Sequence, residues 1–315
     1  MNKWLIALLA CMLVLLAAVY VIIPKQAEIS SIAFMGAAQA AVYRNMIKED
    51  TWTKWWPQES SKDDPKATGS FNLNGYSFKA GTKQLDALEI VINSKNLSAS
   101  SLFSMLPLST DSMMVKWTTT FPTSANPFKR VTQYVQAQKV KHSMDLILGN
   151  LKTFSEKSEH LYGINIEHTK VTDTILVVIK KVQKEKPTEE DVYADINVLS
   201  RYISEEGATE TNKPMLHISY TDDLKSYELM VAIPVNKPLL GNSAIQPKRM
   251  VPGNILKADV KGGEATVAEA MKQMENYVFD HQMLSPAQPY QLLITDRTKE
   301  KDTTKWITRI YYPIL

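Results

Sequence analysis

The chain has 315 residues, of which 44% are hydrophobic and 22% are charged, so it can form two ordinary cores and is neither disordered nor collagen-like. The formal net charge is only +3, with basic residues interleaved among acidic ones, which argues against a nucleic-acid partner. The single cysteine, Cys11, excludes an internal disulfide and a cysteine-based metal site.

The N-terminal residues 4–23 form a run of apolar and uncharged side chains, long enough for a helix that crosses a bilayer. A cleaved signal peptide is the alternative, but its apolar run would be shorter and a small-residue cleavage site would follow promptly. We predict an uncleaved transmembrane anchor over residues 1–24 in a single-pass protein of the cell membrane. The short N-terminal tail favours an extracytoplasmic location for the rest of the chain.

The next part of the chain predicts several strands, one early helix and one long late helix. Alternating or β-branched apolar residues indicate the strands, and apolar residues at helical spacing indicate the helices. The strands fall at residues 29–34, 71–78, 85–92 and 113–121, and the helices at residues 37–48 and 131–160.

Four tryptophans are concentrated in this part of the chain. Trp52, Trp55 and Trp56 follow the first helix, and Trp117 lies within the last strand. Large aromatic side chains usually supply buried area, so a lid of core aromatics is one interpretation. The mouth of an apolar cavity is the other, and the four tryptophans are then its candidate ligand-binding residues.

This order of elements resembles the START-like (SRPBCC, polyketide-cyclase-type) helix-grip family over roughly residues 28–160. The resemblance implies a deep apolar cavity between the sheet and the long helix, in a domain that we place at residues 25–162. It implies no fixed chemistry, because that family contains binders, carriers and a few enzymes. The matching residues are Trp52, Trp55-Trp56-Pro57, the strand with Trp117, and Asn126-Pro127-Phe128 with Arg130.

The remainder of the chain contains an internal repeat with an offset of about 75 residues. Two strand-like runs of eight residues, 227–234 and 306–313, both end in proline, and an amphipathic helical stripe precedes each. We predict β-α-β-β units at about residues 167–235 and 247–315. The stripes are Val192, Ile196, Leu199 and Ile203 in the first copy and Val267, Met271, Met274 and Val278 in the second.

The duplicated part resembles the gyrase-inhibitor-like family, the AraC-type effector-binding domain. The duplication, Val251-Pro252-Gly253-Asn254 and the closing Tyr311-Tyr312-Pro313 carry the resemblance. It implies a small-molecule site in the cleft between the two copies, in a domain at residues 163–315. The expected fold class is thus α+β: a transmembrane helix, a helix-grip domain and a duplicated β-α-β-β domain.

Alternation along the closing strands assigns side chains to two faces of a sheet. If both helices cover one face, the residues of the other parity point into the cleft. These are Ile307, Arg309 and Tyr311 in the second copy and Glu228, Met230 and Ala232 in the first, with Tyr193, Tyr220 and Tyr290 as further candidates for the wall.

Arg309 departs from the pattern that the resemblance implies. Members of the gyrase-inhibitor-like family often carry a glutamate four residues before the closing proline, and multidrug-responsive regulators use it to hold cationic aromatic ligands. A guanidinium there repels cations and favours carboxylate or phosphate groups. Alternatively, Arg309 pairs with Glu228 or extends to water.

Motifs for catalysis are missing from the sequence. It contains no nucleophile elbow, dinucleotide fingerprint, P-loop or zinc-protease motif, and its five histidines lack metal-ligand spacing. We expect no catalytic residue, metal or cofactor, and we predict a protein that senses, sequesters or carries an apolar or amphipathic molecule. The alternatives are an enzyme, either a hydrolase in the repeat cleft or a cyclase-type enzyme in the first cavity, and a scaffold whose cavities are filled by its own side chains. No protein partner is indicated.

Overall fold

The computed structural model of the chain describes residues 3–57, 70–95, 97–221 and 225–315. The chain divides into two compact units, Met1–Lys157 and Ser158–Leu315. Each unit contains one antiparallel sheet together with helices. The predicted mixed α+β class is therefore confirmed.

The first unit has a six-stranded sheet with the strand order β1-β6-β5-β4-β3-β2. Its strands are β1 (Gln26–Met35), β2 (Phe71–Leu73), β3 (Tyr76–Lys83), β4 (Ala87–Ser94), β5 (Leu97–Ser109) and β6 (Ser112–Pro122). Its helices are α1 (Lys3–Ile22), α2 (Gln39–Met46), α3 (Glu49–Trp52) and α4 (Pro127–Ser155).

Helix α4 is the long helix of the first unit, and its start follows from local sequence. The side chain of Asn126 accepts hydrogen bonds from the backbone N–H groups of Phe128 and Lys129, and Pro127 occupies the first turn, where no intrahelical donor is needed. One face, which includes Met144 and Leu151, is buried, and the helix lies against β1.

The membrane anchor predicted over residues 4–23 falls on α1. Within the described ranges, no helix combines the length and apolar character required to cross a bilayer. The predictions of a transmembrane anchor and of a single-pass membrane location are therefore wrong.

The second unit has an eight-stranded sheet with the strand order β11-β8-β10-β9-β13-β14-β12-β7. Its strands are β7 (Glu167–Lys170), β8 (Ile175–Gln183), β9 (Met215–Tyr220), β10 (Tyr227–Pro234), β11 (Gln246–Arg249), β12 (Asn254–Lys261), β13 (Tyr290–Leu293) and β14 (Ile307–Ile314). Its helices are α5 (Ser158–Tyr162), α6 (Glu189–Glu205) and α7 (Glu264–Asp280).

The order strand, helix, strand, strand occurs twice in this unit, as β8-α6-β9-β10 and as β12-α7-β13-β14. We call these the first and the second repeat. Helix α6 contacts β8 and β10, and α7 contacts β12 and β14. The repeats join in the middle of the sheet, where β9 pairs with β13 through Leu216 opposite Gln291 and Met215 opposite Leu292.

The first repeat buries apolar side chains on both faces of its strands. Val177 and Ile179 of β8 pack with the apolar stripe of α6. Leu176 and Val178, the alternate residues of the same strand, belong to a separate apolar cluster with Met215 and Ala232. Because successive side chains of a strand point to opposite faces, this second cluster lies on the face that α6 does not cover.

Candidate functional site

A cavity of about 480 Å³ lies over the second apolar cluster, on the face of the first repeat opposite α6. Strands β8, β9 and β10 contribute one wall, and the connection between the repeats and the C-terminal residues 313–315 contribute others. The apolar lining includes Leu176, Val178, Met215, Met230, Ala232 and Met250.

Strand register explains why these side chains meet. In the sheet, Val178 lies opposite Ala232, and Ala232 lies opposite Met215 on its other side. The neighbouring row aligns Met230 with His217. Residues in one cross-strand row share a face, so three strands separated in sequence supply one continuous apolar surface.

Besides its apolar wall and Tyr290, the cavity is lined by His217, Glu228, Lys248 and Arg249. The Glu228 carboxylate lies 2.7 Å from Nζ of Lys180. Nδ1 of His217 donates a hydrogen bond to the carbonyl oxygen of Pro289 at 2.7 Å, because a carbonyl can only accept. Lys248 extends over Met230, with its Nζ 3.7 Å from the thioether sulfur.

Tyr290 provides the aromatic part of the lining. Its ring stacks on that of Tyr311, with centroids 5.1 Å apart and planes 28° from parallel. Burial raises the pKa of the Tyr290 hydroxyl well above its ordinary value, and the neighbouring Tyr311 and Asp173 act in the same direction. Tyr290 is therefore a neutral, largely apolar group at neutral pH.

The predicted cleft residues are distributed unevenly around this cavity. Glu228 and Met230, from the first repeat, line it directly. Tyr311 packs against the apolar cluster and reaches the cavity through its stack on Tyr290. Ile307 and Arg309, from the second repeat, are not among its lining residues.

Arg309 lies in the same cross-strand row as Ala232, with Met215 and Leu292 between them. Met215 lines the cavity, so two strand spacings, about 10 Å, separate Arg309 from the cavity wall along this row. Its Nε and Nη2 bind the two carboxylate oxygens of Asp259 at 2.6 and 2.9 Å. The guanidinium holds the pKa of Asp259 below its usual range, mainly by this hydrogen bonding. Arg309 thus pairs with Asp259 rather than with Glu228.

The candidate wall residues Tyr193 and Tyr220 lie elsewhere. Tyr193 packs against the core beneath α6, and its hydroxyl oxygen accepts a hydrogen bond of 2.7 Å from the backbone N–H of Arg297. Tyr220 is more than half exposed, and its hydroxyl bonds that of Tyr227 at 2.7 Å. Neither lines the cavity.

The four tryptophans of the first unit are packed into its core. Trp52 and Trp117 are fully buried, and Trp52 stacks on Trp56 with ring centroids 5.6 Å apart. Trp55 is tilted against both of its neighbours at 5.6 and 5.7 Å. The indole N–H of Trp117 donates to Ser101 Oγ at 2.8 Å. This arrangement corresponds to a lid of core aromatics.

A hollow of about 470 Å³ lies on the first sheet, and no tryptophan lines it. Its walls are mainly hydroxyl side chains of β5 and β6, with Glu28 and Glu89. Hydrogen bonds from Ser100 and Thr82 hold the pKa of Glu89 below its ordinary value. This hollow is polar, unlike the cavity that the helix-grip resemblance implies.

Sequence reasoning missed Lys248, Arg249 and Met250, which line the cavity from the connection between the repeats. Lys248 and Arg249 belong to β11, which pairs with β8 at the edge of the sheet. All four residues of β11 are exposed, so the strand has no apolar alternation. The available signal was a basic pair followed directly by Met250-Val251-Pro252.

Among the side chains that the structure describes, no group of three or more histidine, cysteine or acidic residues is placed to hold a metal ion. No family model and no curated protein matches the chain.

Similar solved structures include the C-terminal domain of EcmrR, which is 16% identical in sequence. The match covers 48% of this chain and 98% of that chain, with a TM-score of 0.40. SAV2435 bound to tetraphenylphosphonium is 13% identical, with coverages of 48% and 94% and a TM-score of 0.33. A hydrolase from Listeria innocua is 11% identical, with coverages of 47% and 92% and a TM-score of 0.35. At these values the likeness identifies neither an activity nor a ligand for this chain.

Proposed function

We propose that the second unit binds a small amphipathic molecule in the cavity over the first repeat. The observation that carries this proposal is the cavity itself. Its volume of about 480 Å³ suits a small molecule, and its wall is apolar with a few polar groups at defined positions. Three methionines, Met215, Met230 and Met250, line it, and such flexible side chains adapt to more than one ligand shape.

Binding is favoured over catalysis by the way the titratable groups of the cavity are used. A hydrolase needs a carboxylate or an imidazole that can take up a proton from the reacting group. Glu228 is held by Lys180, and His217 is oriented by the carbonyl group of Pro289. Among the described residues, the cavity lining contains no serine, threonine or cysteine that His217 could activate as a nucleophile. We therefore propose a protein that senses, sequesters or carries its ligand, in the manner of gyrase-inhibitor-like effector-binding domains.

For the first unit we propose a START-like helix-grip scaffold. The six-stranded antiparallel sheet and the long helix α4 support that assignment. The mutual packing of Trp52, Trp55 and Trp56 favours a structural core at this point over the mouth of a ligand cavity.

The proposal can be tested by titrating the full-length protein with 1-decanol, decanoate and decyltrimethylammonium in a calorimeter. We expect at least one probe to bind, and Ala232→Tyr to weaken that binding by at least about tenfold, because the new ring fills the cavity. The second repeat already carries Tyr311 at the corresponding position, two residues before its closing proline. The sheet therefore accommodates a tyrosine there.

Ile307→Tyr is the matched control, because it adds a tyrosine on a β14 side chain outside the cavity lining. Thermal unfolding of both variants checks that each one folds. The proposal fails if none of the three probes binds the wild-type protein, or if folded Ala232→Tyr binds as tightly as the control does.

A further inference from the structure

We infer that the cavity selects amphipathic molecules with an anionic head group, a carboxylate or a phosphate, which Lys248 and Arg249 bind. This inference rests on the proposed function, since it assigns a chemical class to the ligand of the same cavity.

The first argument is the balance of charge among the lining side chains. One acidic side chain, that of Glu228, is among the lining residues, and Nζ of Lys180 compensates it at 2.7 Å. Lys248 and Arg249 add two cations, and within the described residues neither forms an ion pair with a carboxylate. The Lys248 ammonium contacts the uncharged sulfur of Met230 at 3.7 Å. The unbalanced charge of the cavity is therefore positive.

The second argument is position. Lys248 lies opposite Leu176 in the pairing of β11 with β8, and Leu176 belongs to the apolar wall. Lys248 therefore lies on the cavity face of the sheet. Arg249, opposite Ile175, has the other parity in β11, but it is the last residue of the strand and lines the cavity beside Lys248. Both residues are exposed, so they stand where the apolar lining meets solvent. A ligand that places its hydrocarbon tail on Met230 and Leu176 brings its head group to these two cations. Charge-assisted hydrogen bonds at such a rim favour carboxylate and phosphate oxygens.

The cation responsible differs from the one that sequence reasoning singled out. Asp259 already balances Arg309 through two short hydrogen bonds, and Arg309 lies outside the cavity lining. A preference for anions through Arg309 would require breaking that pair. Lys248 and Arg249 can bind an anion without the loss of such an ion pair.

The test compares four ten-carbon probes in the full-length protein: decanoate, decyl phosphate, 1-decanol and decyltrimethylammonium. We expect both anions to bind more tightly than the cation, with an advantage that shrinks as salt is added. The double variant Lys248→Gln/Arg249→Gln should weaken the binding of the anions by about tenfold and leave that of 1-decanol unchanged, since two rim charges are lost. The ratio of decanoate to decyl phosphate affinity distinguishes a carboxylate from a phosphate ligand.

The matched control is Arg201→Gln/Lys272→Gln, which removes one arginine and one lysine from the exposed faces of α6 and α7. It changes the net charge equally and should leave the affinity for decanoate at the wild-type value. Two results overturn the inference while the proposed function stands. One is a cation that binds as tightly as the anions, and the other is an equal loss of anion affinity in both double variants. If no probe binds, the proposed function and this inference fail together.

Discussion

The two repeats of the second unit share one order of elements but differ on the face opposite the helices. Four residues before the closing proline, the first repeat has Met230 opposite Lys180 and the second has Arg309 opposite Asp259. In the second repeat, Arg309 and Asp259 form a bidentate ion pair with each other. In the first repeat Lys180 turns to Glu228, and Met230 faces the cavity.

The repeats also differ two residues further along the closing strands, where Ala232 of the first repeat corresponds to Tyr311 of the second. A small side chain leaves space above the sheet, whereas the Tyr311 ring fills that space and stacks on Tyr290. At these two positions of the closing strands, the first repeat thus carries Met230 and Ala232, which line the cavity, and the second carries Arg309 and Tyr311, which do not. The duplicated units together form the sheet, and these differences between the copies lie on the face that bears the cavity.

The largest effect on stability is expected at the contact that joins the repeats on the helix side. Arg297 is buried in the long β13–β14 connection of the second repeat, and its Nη1 lies 2.5 Å from Glu189 at the start of α6. Its Nη2 donates to Thr308 Oγ1 at 2.9 Å. Arg297→Ala should lower the free energy of unfolding by about 3 kcal/mol in urea denaturation, because it removes a buried guanidinium, breaks its ion pair with Glu189 and leaves the buried Thr308 hydroxyl without this donor.

Arg201→Ala serves as the control for this substitution, because Arg201 lies exposed on α6. It should change the free energy of unfolding by less than about 0.5 kcal/mol. A loss below about 1 kcal/mol in Arg297→Ala would show that the connection does not hold the repeats together.

A smaller loss is expected when the second repeat is made to resemble the first at its aromatic position. Tyr311→Ala removes a half-buried ring and its stack on Tyr290, and should cost about 2 kcal/mol in the same assay. Tyr220→Ala removes a mostly exposed tyrosine that also stacks on a neighbour, and should cost less than about 1 kcal/mol. Equal losses in the two variants would mean that Tyr311 does not close its half of the sheet.

The smallest effect is expected at the charged pair of the second repeat. Arg309→Met installs the residue of the first repeat and should lower the free energy of unfolding by about 1 kcal/mol or less at neutral pH. The pair is partly exposed to solvent, which screens it. Ile307→Met, at an exposed site on the same strand face, is the control and should have no measurable effect. A loss well above 2 kcal/mol would indicate that Arg309 supports more than this pair.

The contribution of this pair should also depend on pH. Arg309 lowers the pKa of Asp259 in the folded state below the ordinary value of 3.8. The stabilisation is therefore fully present above that ordinary value and is lost as the pH falls through the lower, folded-state pKa. Urea denaturation at a series of pH values should show the wild-type protein and Arg309→Met converging in acid. A constant difference down to about pH 2 would contradict this linkage.

Much of the secondary structure could be predicted because its signals are local. The strand and helix patterns of the repeats, and the long helix that contains Met144, can be read from spacing alone. The strand β5 was missed, since serines alternate with its apolar residues, although it pairs with both β4 and β6. The short strand β11 was missed because all of its residues are polar or proline, and its residues Lys248 and Arg249 were therefore missed as cavity-lining residues.

The sequence by itself determined the parity of the closing strands, and hence that Met230 and Arg309 lie on the face away from the helices. Alternation is a property of each strand alone, so it needs no partner. Only the tertiary structure decided that Asp259 is the partner of Arg309 and that the space lies over Met230 and Ala232. Both outcomes depend on which strands pair and in which register, and the cavity in addition needs side chains that the chain brings together from distant positions.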